Sequence, residues 1–523
     1  MHADSQHRID SIGVVGGGDA GLFAALALER GLDDAEIFVV DDFSEDVPAV
    51  GKSTLRYLLT FLHERLEIPP SRLVNEVKLA FKSTVYLKDW CGKEFHSPLG
   101  KPLPAVSQTD ITAPVEATIS TETLTPENEA VFDEFYYRYE TDEYTTLYNE
   151  LAETPGKTPM VIDENDVFNI KKGLPDAAYH FDSNSLNQFL RTVCGERGID
   201  LIDDRITDVN VSDGRIDSIA GEELYEADLY VDASGFRRLL VSELEVPFRE
   251  FDLPVDSAVV ATTDLPLSEV TSATVVTTGE AGWFWQIDTL DLRDLGYVYS
   301  SSHISDEDAL AEFVETRPEP IDPDEVRWYR FDSGVLETPW AGNCVAIGNA
   351  VGFVEPLQST ALTTTAHLAD RLATLLGMHG RINHAGLRDL FNETTLTTWE
   401  EVYNFVSLYY TYNSGTTAFW EDARSVNPNP IPQVDSYRES GFCAPLTRAI
   451  LTRNRADLNE YYLYFLVLKG LGVDSEFYET LEHDPDPAVI ERIEAYTDSV
   501  HRRMDDFLSY EEFYHAFHPG FDD

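Results

Sequence analysis

A short apolar run closing on Gly16-Gly17-Gly18-Asp19-Ala20-Gly21 limits what this chain can fold into more than any other feature. Ser11 to Val15 reads as a buried strand, Gly16 to Gly21 as a tight turn, Leu22 to Arg30 as a helix, and Ile37 to Val40 as a second strand ending in Asp41 and Asp42. The glycines fall as Gly16-x-Gly18-x-x-Gly21, and Asp41 lies 20 residues past the last of them. That is the pattern of a βαβ unit that holds a dinucleotide. Its glycines let the backbone approach a pyrophosphate at a helix N-terminus, and its terminal acid takes up ribose hydroxyls. Gly51-Lys52-Ser53-Thr54 invites a P-loop reading, but Asp46 stands where that motif needs its first glycine, so the phosphate cradle is incomplete.

Downstream the pattern changes. Helical spacing runs from Thr54 to Leu66, and a strand-like stretch from Leu79 to Leu87 carries Lys82. Residues 105 to 165 are rich in Thr, Glu, Asp, Pro and Tyr without a sustained period, which reads as an excursion or lid. A helix from Ser183 to Gly198, strands near Asp200 to Ala220 and an apolar run through Asp232 to a small-residue turn at Gly235 follow. Val255 to Ser302 alternates in strand fashion. Within it Trp283 and Trp285 are one residue apart, so both indoles project from one face of a sheet, as a core ridge or as the wall of a cavity. Asn343 to Ile347 returns as a buried strand, and after Thr360 the chain is mostly helical.

Composition excludes several classes. Across 523 residues, 38 Lys and Arg face 94 Asp and Glu, a formal charge of -56, so nucleic acid is not an expected partner. With 43% hydrophobic residues, the acid excess belongs to a solvated surface rather than a disordered chain. Such a surface suits high intracellular salt, and a halophilic source is expected. Cys91, Cys194, Cys344 and Cys443 show no C-x-x-C spacing, which fits a reducing cytoplasm and no metal site. The polar start before Ser11 does not read as a signal peptide, and the apolar stretch from Tyr461 to Val473 is too short to cross a membrane.

Three separated segments, the glycine turn, Asp228 to Gly235 and Gly348 to Leu362, resemble the FAD-contacting stretches of the flavin monooxygenase superfamily with its hydroxybenzoate-hydroxylase-like fold. Within it the chain is most similar to the flavin-dependent halogenases of the tryptophan halogenase type. The matching residues are Val14 to Gly21, Ala80-Phe81-Lys82, Gly282-Trp283-Phe284-Trp285-Gln286-Ile287 and Phe353-Val354-Glu355-Pro356-Leu357-Gln358-Ser359-Thr360. Weaker echoes lie in Tyr179-His180-Phe181-Asp182, Thr398 to Val402 and Ala418-Phe419-Trp420.

The resemblance implies an α/β, Rossmann-like FAD module with an antiparallel substrate sheet and a helical C-terminal part. Its implied segments are 1–104 with the Lys82 strand, the lid 105–165, an FAD-binding continuation 166–240, the substrate-side sheet 241–340, an FAD-binding return 341–385 and a helical region 386–523. It further implies that reduced FAD, supplied by a separate flavin reductase, turns halide into hypohalous acid, and that Lys82 directs this oxidant onto an electron-rich aromatic carbon. The implied cofactor residues are Gly16, Gly18, Ala20, Gly21, Asp41, Lys52, Ser53, Thr54, Asp232, Asn349 and Leu362, and the implied halide turn is Thr360-Ala361. Ser97, Leu99, Trp283, Trp285 and Gln358 are the implied substrate-side residues, with Gln358 also placed beside Lys82 in catalysis. A homodimer stays open.

The departures carry information too. Gln358 stands where the family has Glu, and a neutral amide cannot act as base or ion-pair partner. Asp288 replaces the usual Pro after the tryptophan motif, which is expected to loosen that turn. Ser97-Pro98-Leu99 replaces a His-Pro-Phe stretch whose rings stack on indole, so an aromatic other than tryptophan, a phenol, pyrrole or larger indole, becomes the expected substrate. Two rivals stay open: a flavin monooxygenase that oxygenates its substrate, and a flavoprotein that only binds.

Overall fold

The computed structural model describes residues 7–44, 52–99, 134, 146–161, 177–427, 429–441, 455–477 and 486–517. They form two compact units interleaved along the chain. The first takes Met1–Leu79, Phe181–Asp256 and Tyr329–Val406, and the second takes Ala80–His180, Ser257–Trp328 and Ser407–Asp523. Most of the expected 105–165 excursion lies outside the described residues.

The first unit is built on a six-stranded sheet in the order Trp340–Ala341, Cys344–Ala346, Leu229–Asp232, Ser11–Val15, Glu36–Asp41, Asp200–Asp203. All neighbours are parallel except at the Trp340–Ala341 edge. Strands covered by helices on both faces are apolar throughout, not alternating, and Ile12, Val14, Val39, Val40, Leu229 and Val231 are all buried. Helix Asp19–Gly31 is itself buried on every side from Leu22 to Leu28, packing against helices Ser183–Glu196 and Thr360–Met378. Its end comes very close to Thr360–Met378 because the residues there are small: a Cβ on Gly31 would sit 3.0 Å from that of Ala373. The helix expected over Thr54 to Leu66 is present as Tyr57–Thr60 continued by a π-helical turn, Phe61–Arg65.

In the second unit, strands Ser257–Asp264, Leu292–Tyr299, Gly282–Asp288, Ala273–Gly279, Thr84–Trp90 and Lys93–Pro98 lie side by side in that order. One face carries a core of Val259, Phe284, Leu295, Tyr297 and Tyr299, closed by Phe313 from helix Asp306–Thr316. That helix starts where Ser305 accepts the Asp308 N–H at 3.2 Å, with three acids in its first turn complementing the helix dipole. Helix Leu147–Glu153, the described end of the excursion, shares a second small core with Val500 and Phe507 near helix Pro487–Asp506.

The stretch expected as one strand from Leu79 to Leu87 is two, Leu79–Lys82 and Thr84–Trp90. They part at Ser83, whose N–H donates to the Ser272 carbonyl at 2.7 Å. Strand Ala178–Phe181 lies beside Leu79–Lys82. Beyond Thr360 the described elements are overwhelmingly helical, as the sequence predicts. No described helix is long and apolar enough to cross a membrane.

Candidate active site

The glycine turn is locked by contacts only glycine allows. Gly16 has φ +116°, and a Cβ there would lie 2.4 Å from the Ala233 carbonyl oxygen. A Cβ on Gly21 would meet the Gly16 oxygen at 1.9 Å. At Gly18, the N-cap of helix Asp19–Gly31, nothing lies within 4 Å of the Cβ position. Open space at a helix N-terminus with converging N–H groups fits a pyrophosphate. Asp41, at the end of its strand, accepts the Gly17 N–H at 2.6 Å. Ala20 touches the return segment, since a Cβ on Gly348 would be 2.6 Å from its own Cβ. Asn349 follows in the turn Gly348–Ala350 and is half-buried.

The other expected cofactor residues belong to the same unit. Lys52 pairs with the buried Asp19, and Asn187 donates to the Gly17 carbonyl at 3.0 Å and to Asp19 at 3.2 Å. Asn187 carries no local signal in the sequence and was not expected. Thr54 is fully buried. Asp232, also fully buried, accepts from the Ser234 N–H and hydroxyl and from the Leu240 and Val241 N–H groups at 2.6 to 3.1 Å, which shapes the turn after its strand.

Pro356 to Thr360 forms a turn of unusual backbone. Gln358 (φ 68°) and Ser359 (φ 58°) are consecutive left-handed residues, and neither is glycine. Each such residue costs roughly 1–3 kcal/mol, so the surroundings must hold them. Ser359 donates through its hydroxyl to that of Ser53 at 2.7 Å, and its N–H to the Pro356 carbonyl at 3.1 Å. The neighbouring Leu55 N–H donates to Thr363 at 3.1 Å. Left-handed Ser359 leads into right-handed Thr360, the first residue of the 19-residue helix Thr360–Met378, and helix N-termini are where backbone N–H groups take up anions. Ala361 and Leu362 follow, both half-buried.

Lys82, in the second unit, has no exposure to solvent. Burial pushes its ammonium down to about 7. His180, also fully buried, is held at about 3 by burial first and by the Lys82 charge second. The imidazole lies 3.1 Å from the Asp288 carbonyl through Nδ1 and 3.0 Å from the Thr274 hydroxyl through Nε2.

Trp283 and Trp285 do project from one face, with ring centroids 6.0 Å apart. Trp283 donates through Nε1 to Tyr410 at 3.0 Å. Trp285 lies across Gly296, its pair on the next strand, where a Cβ would be 2.1 Å from the ring. Ser97 shares that face, because Ser97 pairs with Val85, Val85 with Thr274, and Val276, two residues on, with Trp285. Leu99 is half-buried, its N–H on the Ser83 carbonyl at 2.9 Å. His96 faces the other way, stacked on Tyr86 at 4.3 Å with Nε2 3.1 Å from Glu153. Burial lowers the His96 pKa, and the bond from His96 lowers that of Glu153.

Asp288 does not loosen its turn. Its fully buried carboxylate accepts from Arg293 through Nε at 2.8 Å and Nη2 at 3.0 Å, and from the Thr271 N–H and hydroxyl at 2.9 and 2.8 Å. Where a proline would fix one torsion, this acid holds the turn through four hydrogen bonds.

A protein-family model described as tryptophan halogenase matches residues 11–486. The chain belongs to the tryptophan halogenase family. Among family members, it is 27% identical over 462 residues to tryptophan 7-halogenase RebH of Lentzea aerocolonigenes, covering 82% of each chain. With tryptophan 6-halogenase SttH of Streptomyces toxytricini it shares 28% identity over 448 residues, 80% of this chain and 81% of the other. The solved structure of MibH, a "lathipeptide tryptophan 5-halogenase", superposes with TM-score 0.79 at 25% identity, covering 99% of this chain and 96% of that one. BrvH, a flavin-dependent halogenase from Brevundimonas sp. BAL3, shares the fold at TM-score 0.78 and 24% identity, covering 98% and 99%. The fold is thus the mixed α/β fold of flavin-dependent halogenases, and the chain is an enzyme of the flavin-dependent oxidoreductase type.

Proposed function

We propose that this halogenase uses reduced FAD, O2 and chloride or bromide to halogenate an electron-rich aromatic compound. The observation that carries the reading is Lys82: a fully buried lysine with its pKa pushed to about 7, on the strand that bears the family's Ala-Phe-Lys motif. Bound reduced FAD would supply two electrons that, with O2, convert halide to hypohalous acid. Gly16, Gly18, Ala20 and Gly21 would accept its pyrophosphate and Asp41 its ribose, with Lys52, Ser53, Thr54, Asp232, Asn349 and Leu362 completing the pocket. The N–H groups of Thr360 and Ala361 would bind halide without any cationic side chain.

Lys82 carries the next step. Its Nζ proton hydrogen-bonds and polarises hypohalous acid, or its free amine is halogenated first; a pKa near neutrality serves either role. The aromatic carbon then gains halogen and loses its proton, and water leaves. Gln358 orients substrate or oxidant by hydrogen bonding, since an amide cannot take that proton. The bulk of Trp283 and Trp285 keeps substrate from the flavin chemistry, and Ser97 and Leu99 select a substrate other than free tryptophan. A separate flavin reductase supplies the reduced cofactor, the protein works in a cytoplasm rich in salt, and a homodimer is compatible with this reading.

The test is an aromatic panel given reduced FAD, O2 and either halide at high salt, read by mass spectrometry. Halogenated product that disappears in Lys82→Ala supports the proposal. Oxygenated product formed without halide replaces it with the monooxygenase reading.

A further inference from the structure

His180 lies outside every role assigned so far, yet it is fully buried with both ring nitrogens in hydrogen bonds, and the Lys82 charge acts on it. Strands Leu79–Lys82 and Ala178–Phe181 are neighbours. The rings of Phe81 and Tyr179 meet at 5.8 Å, so these residues share one face of the strand pair. Alternation then puts Lys82 and His180 together on the opposite face. Both side chains are entirely buried.

The hydrogen bonds of His180 fix its tautomer. A carbonyl oxygen only accepts, so at 3.1 Å from the Asp288 carbonyl Nδ1 must carry the proton and donate. Nε2 of a neutral ring is then an acceptor, and it takes the Thr274 hydroxyl proton at 3.0 Å. Both partners sit on the tryptophan sheet: Asp288 ends the strand of Trp283 and Trp285, and Thr274 is on the next strand. Asp288 is itself anchored by Arg293, which also binds Glu319 at 2.7 Å. A chain of fixed bonds therefore runs from Glu319 through Arg293, Asp288 and His180 to the strand face that presents Lys82.

We propose that His180 is a positioning residue for Lys82: a neutral imidazole, locked as the Nδ1–H tautomer between Asp288 and Thr274, that sets the lysine against the tryptophan strand and polarises its surroundings. This rests on the reading of Lys82 as the residue that handles hypohalous acid. Tyr179, Tyr510 and Asp288 are titratable groups beside these strands. Burial raises the phenols of Tyr179 and Tyr510, with Tyr510 accepting the Phe81 N–H at 3.0 Å, and the Asp288 carboxylate is held by Arg293. An ammonium beside a fixed dipole loses part of that support when the imidazole becomes a hydrocarbon, so its pKa falls.

The experiment uses the full chain with FAD bound and has two readouts. The first is the NMR titration of the Lys82 side chain in protein carrying carbon-labelled lysine, its signal assigned by its loss in Lys82→Met. The second is kcat and KM for halogenation. In His180→Leu the Lys82 midpoint moves down by about one pH unit, and kcat falls by about 100-fold with KM for the aromatic substrate nearly unchanged. In His180→Asn, whose amide can donate from the Nδ1 position but does not reach Thr274, both readouts shift less than in His180→Leu. Thr274→Val, a milder change, keeps the fold and moves the midpoint in the same direction. An unmoved midpoint in His180→Leu and Thr274→Val, or a moved midpoint with unchanged kcat, overturns the proposal. If the wild-type chain halogenates nothing, the proposed function fails, while the titration still decides whether His180 controls Lys82.

Discussion

Lys82 ties local chemistry to stability. Folded, it binds its proton near pH 7, against an ordinary value of 10.5. Between these values the unfolded chain holds more protons, so this group makes stability rise with pH, by at most about 1.4 kcal/mol per unit, with its full cost present below the folded pKa. Lys82→Met should abolish halogenation while raising stability, most at pH 7 or lower and least near pH 10. Urea unfolding of both proteins across that range checks it, and parallel profiles for the two would contradict the burial argument. Gly16→Ala should lose FAD binding, because the new Cβ meets the Ala233 oxygen at 2.4 Å in a left-handed backbone; flavin fluorescence in a titration reads this directly. At this scale the sequence is legible where chemistry is local. Gly16, Asp41 and Lys82 announce themselves by neighbours, whereas His180 takes its partners from 94 and 108 residues away, beyond any periodicity.

Among the elements, strands and helices of the first unit follow from apolar runs and turn residues, and Ser11–Val15 has the bounds read from sequence. Two features do not. The left-handed pair Gln358-Ser359 has no glycine to mark it, and the bond from Ser359 to the distant Ser53 that helps hold it is invisible in local sequence. Gln358→Val should spoil this turn, since a β-branched residue is strongly disfavoured at positive φ, raising KM for bromide about tenfold or more. Gln358→Asn, tolerant of that region, should leave bromide KM near wild type; equal KM in all three proteins would remove the turn from halide binding. Asp288 is the second. Read as a lost proline it predicts a looser turn, but Arg293 and Thr271 convert it into an anchor. Restoring the family's usual residue with Asp288→Pro should therefore destabilise, by roughly 3 kcal/mol, because Arg293 loses a buried partner. A stability gain in denaturant melts would contradict this.

For the molecule as a whole, a formal charge of -56 on 523 residues sets the conditions of folding. Self-repulsion on that scale is relieved as the screening length shrinks from about 10 Å at 0.1 M salt to about 3 Å at 1 M. The thermal midpoint should rise steadily from dilute buffer into molar potassium chloride, and full stability in dilute buffer would remove the halophilic reading. Charge balance and fold class are whole-chain properties, so both are legible from composition and the βαβ opening, and the family match over residues 11–486 agrees with the fold so read.

The central claim, that the enzyme spends its oxygen on halide rather than on substrate, is decided by a single turnover with isotope-labelled O2 in the presence of bromide. Overall, reduced FAD, O2, a proton, halide and the aromatic hydrocarbon give oxidised FAD, the halogenated aromatic and two waters, so the account predicts bromine in the product and all of the label in water. Label in the organic product, formed equally well without bromide, would contradict it.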